Sequence, residues 1–448
     1  MTIEATTPSI AVASVKTKRS TPLLLLQIYI WLMAGLPARL VIGSIGSFGS
    51  PASLAGLLTF GLWAVSAGKE GTLPRVVWPV RFGLLALWIP TLLSYAIMHL
   101  HSNPADEVNG ADRALLFLLV WSGAALLTAE GLAGLDELLR LLRTLAVAAA
   151  YVSAVAIAQS RFGFDFTLWL AKIPGLSVSG ELDSVLNRSG FNRPAGTATH
   201  PIELGCVLAI VLGLTIVLAV FDHGWKVRTR WLTLAVIGLG IPLALSRAGI
   251  LSAAIVLVFW LAGANRKHAM RTLAASAGFV VLLFLTTPGL LGTLKNWFAG
   301  WSQDQSISTR TDDYPAVAYY IRRSPIIGRG PSTFLPKFRI LDNQWLLQLI
   351  EVGVIGAVGF AIYLLLPGFL GRSARHRQPD ELWRAMGQAL AGSSMVAIVA
   401  SASFDSFTFP MFPGLWAVVL GAAGLLWRAS PAPPLAVTAP SPPHEHAP

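Results

Sequence analysis

The sequence predicts an all-α protein: a polytopic membrane helical bundle of about twelve transmembrane helices with two structured external loops. Three observations carry this. Of the 448 residues, 54% are hydrophobic and only 12% are charged, whereas a soluble domain carries roughly 25% charged residues. A bilayer explains the shortage, because lipid-facing helices need no polar side. Apolar runs recur along the whole chain, and the basic residues sort between alternate connections.

A helix needs about 20 mostly apolar residues to cross the hydrocarbon core. The candidate spans are 22–42, 50–67, 82–100, 113–129, 142–160, 200–221, 231–246, 248–264, 272–292, 343–370, 384–404 and 408–427. The sixth to eighth are short or poorly separated, so eleven or twelve spans are expected. The polar segment 1–21 ends in Lys16, Lys18 and Arg19 before LLLLQIYIWLMAGL, with no small-residue cleavage site following. This reads as an uncleaved first helix rather than a signal peptide. The membrane domain then runs over 22–428. The Pro/Ala-rich tail 429–448 is expected to be a disordered cytoplasmic end, and His444, Glu445 and His446 there make a poor metal site. The lone cysteine, Cys206, lies in an apolar run and reads as a small packed hydrophobe. No metal or cofactor is expected.

Orientation follows from the basic residues of the short loops. With the Lys16/Lys18/Arg19 end in the cytoplasm, the cytoplasmic connections hold Lys69, Arg75 and Arg81; Arg140 and Arg143; Lys226, Arg228 and Arg230; Arg266, Lys267 and Arg271; and Arg372, Arg375, Arg377 and Arg384. The short external loops are nearly free of Lys and Arg. Both termini are therefore expected inside. The net charge of +11 is the product of this sorting, and nucleic acid is not an expected partner.

Two long segments break the pattern, both on the external side: 161–199, with Arg161, Lys172, Arg188 and Arg193, and 293–342, with Lys295, Arg310, Arg322, Arg323, Arg329, Lys337 and Arg339. Long loops translocate regardless of charge, and loops beyond about 15 residues tend to be functional or disordered. A cationic external face beside the membrane fits an anionic substrate such as a lipid phosphate.

Candidate chemistry gathers there. Arg247, in LALSRAGILSAAIVLVFW, either faces a cavity or partner or snorkels at the outer end of a helical hairpin; a membrane-centre arginine costs at least about 2.5–3.5 kcal/mol. Arg193, in NRSGFNRPAGTATHPIELG, is a ligand-binding group or an interfacial arginine, and His200 beside it contacts substrate or only starts the helix. Asp312 and Asp313 fit helix capping better than a divalent cation. Tyr314, Tyr319 and Tyr320 can stack on sugars or form an aromatic belt. Asp342 is an N-cap, a catalytic group, or both. Gln344, Gln348 and Glu351 follow at i, i+4 and i+7, a polar stripe expected to face a cavity or another helix.

In order, RPAGTATHP, LSRAG, and RRSPIIGRGPSTF leading into DNQWLLQLIEVGVIG resemble the motifs of the O-antigen ligase and polymerase superfamily, bacterial enzymes that move lipid-linked glycans outside the cytoplasmic membrane. The match covers about 190–360. The family's usual His before Asn343 is replaced by Asp342. The resemblance implies an inverting, metal-independent glycosyl transfer at the outer face of the bacterial inner membrane. Its partners would be a glycan on undecaprenyl diphosphate, a glycan or lipid acceptor, and membrane lipids. Arg193, Arg247 and Asp342 would be catalytic. Arg310, Arg322, Arg329, Asn343, Gln344, His200 and Tyr319 would contact substrate. Rival readings are a transporter or flippase of the same lipid, and a non-catalytic scaffold in envelope assembly.

Overall fold

The computed structural model describes residues 20–69, 78–163, 165, 167–179, 185–188, 191–286, 292 and 314–431. Arg310, Asp312 and Asp313, most of segment 1–21 and most of the C-terminal tail lie outside the described residues.

The described chain is almost entirely helical. Its helices are α1 (Thr21–Gly35), α2 (Pro51–Ala67), α3 (Trp78–Met98), α4 (Ala105–Leu126), α5 (Leu135–Phe162), α6 (Thr167–Leu170), α7 (Pro201–Phe221), α8 (Val227–Leu243), α9 (Arg247–Gly263), α10 (Arg266–Thr286), α11 (Tyr314–Arg323), α12 (Gln344–Glu351), α13 (Gly353–Arg377), α14 (Glu381–Ser403) and α15 (Met411–Arg428). Among them, eight are long and apolar enough to cross a membrane, beginning with Pro79–Met98 and ending with Met411–Arg428. The helices α1, α2 and α9 are shorter but apolar, and α8 has 17 residues. Every predicted run thus contains helix, although 22–42 is helical only to Gly35 and ends in the strand Leu40–Ile42, and length and composition alone support eight spans rather than twelve.

The tenth run differs from its expectation. Residues 343–370 are not one helix: the chain breaks between α12 and α13, where Gly353 has φ 74. The break has a partner that frees it from continuing, described below.

Helices α7 and α15 form the centre and are buried along nearly their whole length. Around them pack α4, α5, α8, α9, α13 and α14. Helix α10 is the outlier, with only 6% of its spanning window buried, so its apolar surface has lipid as its natural solvent.

The segment after α5 is structured. Strand β1 (Leu40–Ile42) pairs antiparallel with β2 (Leu176–Val178), and β3 (Val185–Arg188) pairs with β4 (Phe191–Pro194). The first pair ties the α1–α2 connection to the long α5–α7 connection.

At the opposite end, several of the basic residues assigned to cytoplasmic connections are bonded into the bundle. Arg81 donates twice to Glu130, at 2.8 and 2.7 Å, and Trp63 Nε1 donates to the same carboxylate at 2.9 Å. Glu130 sits on a π turn, Leu127–Gly131, that re-aims it inward. Arg143 makes a two-pronged pair with Asp222 at 2.6 Å on each prong. Arg375 donates to the Gly263 carbonyl, and Arg428, at the end of α15 and not among those residues, donates to that of Leu132.

Candidate functional site

The site assembles at the end of the bundle opposite those pairs, where four connections meet. The first is the entry to α7. Pro201 sits in its first turn, where a missing N–H costs nothing, and His200 is the N-cap, its Nδ1 accepting from the Ile202 N–H at 3.2 Å. The preceding turn is clamped from two sides. Gln159 both accepts from the Gly196 N–H (2.8 Å) and donates to the Gly196 carbonyl (3.1 Å), and the Thr197 hydroxyl donates to the Ala34 carbonyl at the end of α1 (2.6 Å).

Glu203, fully buried in the first turn of α7, accepts from the backbone N–H groups of Thr199 (2.8 Å), Met411 (2.8 Å) and Phe412 (3.1 Å). One carboxylate therefore satisfies orphan donors at the starts of two central helices, and fixes the α14–α15 connection against the α7 entry.

The second connection is the α8–α9 hairpin. Arg193, in β4 and 7% exposed, donates from Nε to the carbonyl of Ala244 at 3.1 Å. Three residues on, Arg247 opens α9, with Ser246 as N-cap bonding the Gly249 N–H. Between them Leu245 adopts φ 46, a left-handed conformation that costs a non-glycine residue roughly 1–2 kcal/mol. Helices α7 and α9 touch backbone to backbone at Gly205 and Gly249: a Cβ on Gly249 would lie 2.8 Å from the Gly205 Cα. That crossing carries the Arg247 end of α9 up against the His200 end of α7.

The third connection explains the break at Gly353. The stretch Pro325–Gly330 runs along the α12–α13 junction and bonds its backbone. The N–H groups of Arg329 and Gly330 donate to the carbonyls of Ile350 (3.0 Å) and Glu351 (2.9 Å), and the Val354 N–H donates to the Pro325 carbonyl (2.9 Å). Contact is so close that a Cβ on Gly328 would strike the Glu351 backbone, and one on Gly353 the Ile326 backbone. Both have positive φ. Gly328 of PIIGRGP and Gly353 of EVGVIG thus serve one purpose: two backbones in direct contact, with the orphan groups of a broken helix satisfied.

The loop is also anchored sideways. Arg329 pairs with buried Glu107 at 2.7 Å and lies over the rings of Phe338 and Tyr320, while Lys337 pairs with Asp106 at 2.6 Å. Glu351 accepts from the Phe334 N–H at 3.2 Å.

The fourth connection, 404–410, meets the start of α12. The Gln344 N–H donates to the Phe404 carbonyl (3.2 Å), and Gln344 Oε1 accepts from the Phe407 N–H (2.9 Å). These bonds bring Asp405 beside Asp342. Burial pushes the Asp405 carboxyl up to about 7, and the negative charge of Asp342 adds to the rise, against hydrogen bonds from its own backbone and from Thr408. His200 moves the other way. Burial and the charges of Arg193 and Arg39 hold its imidazole down to about 4, so it is neutral at pH 7.

The sequence candidates therefore divide. Arg193, Arg247 and His200 share one neighbourhood, and Asp342 lies across the α12/404–410 contact. Asn343 is the N-cap of α12, its side chain accepting from Trp345 and Leu346, which leaves Asp342 exposed one residue farther out. Gln344 and Glu351 face neighbouring segments, as the polar stripe predicts. Arg322 is exposed at the end of α11, and Tyr319, 53% exposed, is covered by Arg323. Cys206 is buried beside Ser252.

Glu203, Asp405 and Arg39 were not singled out in the sequence. The signals existed: Glu203 and Asp405 are lone carboxylates within or between apolar spans, where ionisable groups are costly. Arg39 is the one basic residue in the connection 36–50.

Residues 232–361 match the family model described as O-antigen ligase. The match begins inside α8 and ends inside α13, so it takes in the Arg247 hairpin and the α12–α13 junction. No curated protein matches the chain.

Proposed function

We propose that this chain, a membrane protein of the O-antigen ligase and polymerase superfamily, is a glycosyltransferase. It moves a glycan from undecaprenyl diphosphate to an acceptor hydroxyl at the outer face of the bacterial inner membrane, with both termini inside. The observation that carries this reading is the convergence of Arg193 and Arg247 through the Arg193–Ala244 bond, beside a neutral His200 and at the same end as Asp342 and Asp405.

Guanidinium forks suit phosphate oxygens. Arg193 and Arg247, joined by Arg310, hold the donor diphosphate and stabilise the charge that grows on it as the glycosidic C–O bond breaks. The acceptor hydroxyl attacks the anomeric carbon from the opposite face, with inversion. Its proton passes to the Asp342–Asp405 pair; undecaprenyl diphosphate leaves. An isolated aspartate with its ordinary pKa near 3.9 is a weak base. A pair in which one carboxyl is raised toward neutrality is better matched to the task. No metal enters this route. Asn343, Gln344 and Arg329 act by holding the α12 start and the loop above it. Arg322 and Tyr319, exposed on α11, take the sugar rather than the phosphate.

The test is transfer by purified protein in detergent, from a lipid-linked glycan to an acceptor. Transfer there separates an enzyme from a flippase, because flipping requires a sealed bilayer. No transfer with any acceptor sinks the proposal.

A further inference from the structure

Arg39 lies outside every motif, on the far side of the chain from the matched residues 232–361. It directly precedes β1, in the turn closed by the bond from the Leu40 N–H to the Pro37 carbonyl (2.9 Å). Its position is set by three ties. Strand β1 pairs with β2, the Ser179 N–H donates to the Arg39 carbonyl at 2.9 Å, and the Thr197 hydroxyl bonds Ala34 five residues earlier. The effect is to bring Arg39 close enough to His200 that its charge, like that of Arg193, disfavours a proton there.

Among the described residues, the Arg39 side chain has no carboxylate partner and no hydrogen bond. This contrasts with Arg81, Arg143 and Arg329, each of which is matched to a buried carboxylate. A half-buried guanidinium with no counter-charge, acting on the same imidazole as a second one, is a place where an anion is favoured.

The neighbouring surface says what kind of anion. Leu36, Pro37 and Ala38 line an apolar cleft with Met33, Trp121 and Met411. A cation that directly follows three cleft-lining residues fits an amphiphile: an anionic head joined to a hydrocarbon chain.

We infer that Arg39 is a further binding residue for the lipid diphosphate, gripping a phosphate while the apolar residues 36–38 before it meet the first isoprene units. This rests on the donor-binding reading given above. It adds a ligand from the α1–α2 connection to the arginines of the α5–α7 and α8–α9 connections, so three connections contribute to the donor site.

The probe is farnesyl diphosphate, titrated into the full-length protein in nanodiscs, with farnesol and inorganic pyrophosphate as the two half-ligands. Arg39→Ala is expected to weaken farnesyl diphosphate about tenfold or more, as loss of a charge-assisted bond would. It should leave farnesol binding and the melting temperature unchanged, and Arg39→Lys should fall between. Arg228→Ala, in an exposed position at the other end, should match wild type. Wild type should bind pyrophosphate at least about tenfold more weakly than farnesyl diphosphate; equal affinities would remove the lipid part of the assignment. If Arg39→Ala binds like wild type while Arg247→Ala does not, the Arg39 assignment falls and the function stands. If neither variant differs from wild type, the donor site itself is misassigned.

Discussion

The Nε of Arg193 donates to the carbonyl of Ala244 at 3.1 Å, so one arginine is held by the turn that launches the other. A lysine at 193 has a single ammonium and no fork, and cannot hold that carbonyl while offering parallel donors to a phosphate. Arg193→Lys is therefore expected to lower transfer by about 10²-fold or more, with an unchanged elution profile in size-exclusion chromatography. Retention of more than about half of the activity would show that the fork is not used.

The glycines of the third motif make a separate prediction about stability. Gly353→Ala and Gly328→Ala each force a side chain into a left-handed backbone that also abuts another backbone. The conformational part alone costs about 1–2 kcal/mol, and the contact adds to it. Both variants should melt clearly lower than wild type in detergent. Gly61→Ala, a helical position in α2 with open space around it, should melt at or slightly above wild type.

Glu203 is predicted to be an organiser. Glu203→Ala leaves three backbone donors without their acceptor, at about 1–3 kcal/mol for each buried group left unsatisfied. Glu203→Gln keeps an acceptor oxygen and should lose less. Thermal melts of the two variants should rank in that order; an alanine variant as stable as wild type would contradict the bond pattern.

Asp405 gives a pH signature. Its ordinary pKa of 3.8 rises to about 7 in the fold, so between those values the folded state holds a proton that the unfolded state has released. Stability contributed by this carboxyl is therefore greatest at the acid end, falls as pH rises from about 4 to about 7, and levels off above. Asp405→Asn removes that decline. Melting temperatures taken from pH 5 to pH 8 should fall less steeply in the variant than in wild type, and parallel curves would mean the carboxyl titrates elsewhere.

Much of this was legible in the sequence because membrane helices are written in composition. Each predicted apolar run holds helix, although 343–370 is divided in two and 22–42 ends in strand β1. The break at Gly353 was hidden because its cause is distant: EVGVIG reads as apolar helix until the carbonyls of Ile350 and Glu351 are seen to serve residues 329 and 330. Asp342 as a helix cap was a reasonable local expectation, but Asn343 takes that place, since its side chain reaches two N–H groups at once. Asp405 was missed for a related reason. Its significance comes from Gln344, sixty-one residues earlier, which bonds Phe404 and Phe407 on either side of it. Arg39 falls outside any motif, and the β1–β2 pairing with the Thr197–Ala34 bond carries it to the site.

The central claim is that paired arginines hold a lipid diphosphate for glycan transfer, and Arg247 tests it most directly. Purified wild-type protein in detergent, given a lipid-linked glycan and an acceptor, should form product, and Arg247→Ala should form none while eluting and melting as wild type does. Near-normal transfer by Arg247→Ala would contradict the account.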